Sequence, residues 1–115
     1  MKRKEWSEFD KTTREYIKER DRNCCIYCKS TSSLQIAHVF ISRAQGGKGA
    51  KENGVLLCLK CHMNLDNYLG TKQKEQSEKI KRYCENYLLK KENVDIDKLR
   101  YKKYNWNLNN KMIYY

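Results

Sequence analysis

A chain of 115 residues has room for one domain, and burying roughly two-thirds of its unfolded surface leaves a modest core. Its N-terminus, MKRKEWSEF, has no apolar h-region, so no secretory signal is expected, and no stretch approaches the ~20 apolar residues of a membrane span. The expectation is a cytoplasmic protein with no membrane partner. The net charge of +11, together with nine tyrosines, directs attention to nucleic acid, because Lys and Arg displace counterions and aromatic rings can stack. The excess is uneven, with twelve basic against six acidic side chains in residues 72–115.

Taken in chain order, the first predicted element is a helix over residues 8–22. Ser7 stands at its cap, and Trp6, Phe9, Thr13, Tyr16, Ile17 and Arg20 fall near a 3.6-residue stripe. Asn23 ends it, and a tight turn, CCIYCKSTSS, follows. Leu34–Ile41 (LQIAHVFI) is short, apolar and partly alternating, which predicts a strand. The three glycines within Ser42–Gly49 predict a mobile connector. Gly54–Leu57 reads as a second short strand, and a helix is expected from Cys58 or Leu59 to about Tyr68, with Gly70 as its stop. Thr71 can cap a long helix to about Lys91 that carries Ile80, Tyr83, Cys84, Tyr87 and Leu88 on one face. Asp95 can cap a short helix through Ile96 and Leu99, and the Asn- and Tyr-rich tail carries no clear pattern.

Cys25 and Cys28 form one C-x-x-C pair, and Cys58 and Cys61 form another. Two intervening residues let both thiolates reach one ion at about 2.3 Å, and two such turns complete a tetrahedral shell, so a structural Zn²⁺ is expected. A small core benefits from such a staple. In a reducing compartment, metal also explains six cysteines better than disulfides do. The run CLKCH additionally fits the C-x-x-C-H pattern of covalent haem, but zinc claims Cys58 and Cys61 and leaves none for a porphyrin. Cys24 is out of step with the spacing, and Cys84 lies on an apolar helix face; both read as structural.

The chain has only two histidines. His62 and Asp66 are four apart, on one face of a predicted helix, and together could hold a divalent cation. His38, with a reference pKa of about 6.5, suits a general base. AHVFISRAQGG, ENGVLLC and LKCHMNLD resemble the HNH endonucleases over about residues 20–70, with His38, Asn53 and His62 at the three motif positions.

The resemblance implies an α+β fold with a small ββα-metal, treble-clef-like core stapled by the four-cysteine zinc site and flanked by N- and C-terminal helices. Residues 1–115 would be a single HNH nuclease domain, with residues 71–115 as a basic helical extension. It further implies that His38 activates water, that Asn53 pins the loop orienting it, and that His62, helped by Asp66, binds a catalytic Mg²⁺ or Mn²⁺ ion. Arg43 and Lys48 are the candidates for DNA contact. Many members carry a metal-binding Asp or His just before the base, where this chain has Ala37. The implied activity is metal-dependent nicking or cleavage of DNA, and the implied settings include phage packaging, homing and restriction. The alternative is a zinc-stapled DNA-binding module whose catalytic site has decayed.

Overall fold

The computed structural model describes residues 2–66 and 74–101, and the backbone of 104–106 and 112–114. Among these residues no helix is long and apolar enough to cross a membrane.

Helix α1 spans Arg3–Ser7, and α2 spans Lys11–Arg20. The helix expected over residues 8–22 is therefore shorter, and a separate helix precedes it. Ser7 instead ends α1 with its side chain buried and its hydroxyl unpartnered, while Asp10 caps α2 by accepting from Thr13 N–H at 2.8 Å. A carboxylate at this position both satisfies a free N–H and complements the helix dipole.

Strand β1 (Leu34–His38) pairs antiparallel with β2 (Gly54–Cys58), from Leu34 opposite Cys58 to His38 opposite Gly54. The first strand stops at His38, short of the expected Ile41, because Asn53 takes over its hydrogen bonding. The main-chain carbonyl of Asn53 accepts from Val39 N–H at 2.9 Å, and its side chain accepts from Phe40 and Ile41. Helix α3 (Leu59–Leu65) follows β2 directly, and α4 spans Lys74–Lys91. The expected Gly70 stop and Thr71 cap lie outside the described residues. Asp95 precedes a 3-10 turn, Ile96–Leu99, without capping it through its side chain. In the tail, β3 (Tyr104–Trp106) pairs antiparallel with β4 (Met112–Tyr114).

The β1–β2 ribbon is covered on both faces, as its period-2 alternation requires. Ala37, Val55 and Leu57 join one buried cluster with Cys61 and Leu65 of α3 and with Ile80, Cys84 and Leu88 of α4. On the opposite face Gly54 lies against Phe9 and Ile17, where an added Cβ would overlap the Phe9 ring. The elements are tied together by Asp21, which is buried. Its carboxylate receives Arg20 Nε at 2.7 Å, Arg20 guanidinium N–H at 3.1 Å, the Tyr87 hydroxyl at 2.6 Å and Leu56 N–H at 2.9 Å. Arg20 also donates to Gly54 O at 2.6 Å and to Lys51 O at 2.8 Å. One fully satisfied buried charge thus joins α2, β2 and α4; removing either partner would strand the other.

The Ser42–Gly49 loop is stitched on both sides, contrary to the mobile connector expected from its glycines. Trp6 Nε1 donates to Gly46 O at 3.0 Å, and Gly49 N–H donates to Trp6 O at 2.9 Å. From the other side, Lys48 N–H donates to Leu99 O and Tyr101 N–H to Gly46 O, both at 2.7 Å. The glycines permit close approach: a Cβ at Gly47 would overlap the Ile41 carbonyl, and one at Gly49 the Glu8 carbonyl.

Candidate active site

The four motif cysteines come from two local devices. Cys25 and Cys28 sit in the turn after α2, closed by Cys25 N–H to Ser30 O at 2.8 Å and by Lys29 in the left-handed region (φ 69°). Cys58 is the N-cap residue of α3, and Cys61 lies in its first turn. All four Sγ atoms lie within 4.8 Å of one another, with Cys28 and Cys58 at 3.5 Å. A tetrahedron of Zn–S bonds at about 2.3 Å has edges of about 3.8 Å, so the cluster can hold a zinc ion after small adjustments. The electrostatics agree. Burial opposes ionisation of Cys25, yet N–H groups of Cys28, Cys58 and Tyr27 outweigh it and bring its thiol down to about 7. Burial and the neighbouring sulfurs push the Cys61 thiol well up. Thiols so crowded ionise together only around a cation. Cys24 and Cys84 stay outside the cluster; Cys84 is fully buried, and burial pushes its thiol up to about 12.

His38, Arg43, His62 and Asp66 line one open cleft, together with Ser7, Phe9, Arg14, Lys18 and Gln35. His38 Nε2 lies 2.9 Å from Ser7 O, and its ring packs against Phe9 at a centroid distance of 4.6 Å. A carbonyl only accepts, so Nε2 carries the proton and Nδ1 the free lone pair. Burial holds His38 below the usual histidine range, and Arg43 and His62 add to this; the bond to Ser7 opposes it.

In the same cleft, His62 Nε2 is 3.3 Å from Asp66 Oδ2. Two adjacent ligands of an octahedral ion with bonds of about 2.1 Å are about 3.0 Å apart, so this pair fits two positions of such a shell. Ala37 is fully buried in the core cluster and offers the cleft nothing.

Asn53, also fully buried, makes four side-chain bonds: it accepts from Phe40 N–H (2.8 Å) and Ile41 N–H (3.2 Å) and donates to Ile41 O (2.9 Å) and Lys48 O (3.0 Å). It clamps the chain leaving His38 to the end of the following loop. Asn53→Ala strands four polar groups, so urea unfolding should show a loss of about 3 kcal/mol or more. A loss below about 1 kcal/mol would mean that water replaces the amide.

Lys48 does not join Arg43. Its ammonium lies 5.0 Å from the Trp6 ring centroid, and it borders a separate depression with Glu52 and residues 93–99. Conversely, nothing in the sequence marked Ser7, Phe9 and Gln35 as site residues, since a backbone carbonyl, a ring and an amide are not motif chemistry.

Residues 25–67 match the family model described as HNH endonuclease. This segment is similar to an HNH endonuclease domain. No curated protein and no solved structure matches the chain. The HNH segment contains both C-x-x-C pairs, His38, Asn53, His62 and Asp66, whereas Ser7 and Phe9 reach its cleft from outside the matched residues.

Proposed function

We propose that this HNH protein is a metal-dependent endonuclease that nicks or cleaves DNA by phosphodiester hydrolysis. The observation that carries the reading is that the His38 ring, held by Ser7 O, and the His62–Asp66 pair line the same cleft. His38 Nδ1 takes the proton from the attacking water. Asn53 acts indirectly, by holding the chain that leads from His38. Arg43 lies in the same cleft and serves as a phosphate contact. His62 and Asp66 would hold a Mg²⁺ or Mn²⁺ ion, with water and phosphate oxygens completing a shell to which Ala37 adds no ligand. When bound, that ion would neutralise charge developing on the scissile phosphate and the leaving oxygen. The four cysteines hold a structural Zn²⁺ ion and take no part in the chemistry. The exposed basic residues of α4, among them Lys79, Lys81 and Arg82, would add sequence-independent backbone contacts.

The test is conversion of supercoiled plasmid to nicked or linear forms with Mg²⁺ or Mn²⁺. Cleavage should appear with either ion and vanish with EDTA under conditions that leave zinc bound. The buried Ala37 favours one other reading, a DNA-binding module without catalysis. Retardation of DNA with steep salt dependence, but no cleavage with any divalent ion, would establish that reading instead.

A further inference from the structure

His62 Nδ1 lies 2.6 Å from Oε1 of Gln35, a contact spanning 27 residues from β1 to α3. By strand alternation Gln35 shares the α3-facing side of β1 with Ala37, but unlike Ala37 it is exposed at the cleft. We infer that Gln35 is a positioning residue that sets the tautomer and orientation of His62 for metal binding. The inference rests on the proposed role of His62 as a metal ligand.

The amide oxygen can only accept, so the proton of neutral His62 must sit on Nδ1. Nε2 then presents its lone pair on the side where Asp66 Oδ2 stands at 3.3 Å. Without the acceptor, a neutral imidazole favours the proton on Nε2. There it would donate to the Asp66 carboxylate and block the position a metal would take. The ring would also be free to turn about its χ2 bond. Histidine ligands generally donate their second N–H to an oxygen, and losing that partner weakens metal binding about 10–100-fold. In this chain Gln35 supplies the oxygen. A glutamate at the same place would preserve it, and a leucine would fill similar space without it.

The experiment uses the full zinc-bound chain, with Mn²⁺ as the probe. Calorimetry measures Mn²⁺ binding, and ¹⁵N-resolved NMR of the histidine rings reads the tautomer. Wild type should show His62 protonated at Nδ1. Gln35→Leu should raise the Mn²⁺ Kd about 10–100-fold and shift His62 toward the Nε2–H form, while Gln35→Glu restores both. Unchanged Mn²⁺ affinity and tautomer in Gln35→Leu, with His62→Ala losing the Mn²⁺ site, would overturn the role of Gln35 alone. If His62→Ala binds Mn²⁺ as wild type does, the metal-ligand reading of His62 falls, and this inference falls with it.

Discussion

His38→Ala should cleave DNA about 10²–10⁴-fold more slowly than wild type while keeping its zinc, its fold and its affinity for DNA. The ring is half-buried, so its loss removes packing against Phe9 and the hydrogen bond to Ser7 O. Single-turnover cleavage, with circular dichroism and zinc analysis of the same samples, separates the chemical defect from misfolding. The wild-type pH profile gives a second check. Only the neutral ring accepts a proton, and the folded protein holds His38 below its ordinary value of about 6.5. Activity in kcat/KM should therefore be flat at neutral pH and fall on acidification, with a midpoint below that of a free histidine. Bound DNA brings negative phosphates near the ring and favours its protonated form, so the kcat midpoint should lie higher. Arg43→Ala removes a positive charge that lowers the histidine's value, and should raise the kcat/KM midpoint. A His38→Ala variant that cleaves at the wild-type rate would refute the assignment.

Loss of the four-cysteine site should cost the whole fold. Structural zinc contributes about 10–16 kcal/mol in small zinc-dependent folds, against a typical total stability of about 5–15 kcal/mol. Here the cluster joins the turn after α2 to the β2–α3 junction, and Cys25, Cys58 and Cys61 are buried. Protein purified without added metal should carry about one zinc per chain. Cys58→Ser should be insoluble or melt without a cooperative transition. Cys24→Ser should melt much like wild type, because a hydroxyl can keep the contact that Cys24 Sγ makes with Asp21 O at 3.5 Å. A cooperative, unshifted melt for Cys58→Ser would show that the cluster holds no stabilising ion.

The two outcomes draw on different levels of information. The C-x-x-C pairs, the two strands around them and the helix that follows are legible in the sequence. Each depends on spacing or periodicity within a few residues, and local geometry then forces neighbouring side chains to converge. The amphipathic face of α4 is legible for the same reason, and Ile80, Cys84 and Leu88 are fully buried. The competition between Ser7 and Asp10 for the cap cannot be read, since both residues qualify locally and only the packing of α1 decides. The glycine-rich loop reads as a mobile connector yet is pinned, because glycine permits close approach as readily as motion. The cleft itself shows the limit most clearly. His38, Asn53 and His62 stand out by type and spacing, whereas Ser7 and Gln35 act through a carbonyl and an amide that the chain repeats elsewhere. Their contacts span 31 and 27 residues. Sequence alone picked out the side chains proposed for the chemistry. The acceptors beside the two rings, Ser7 O and Gln35 Oε1, were placed by the tertiary structure, because a ring tautomer follows from the acceptor that folding brings beside it.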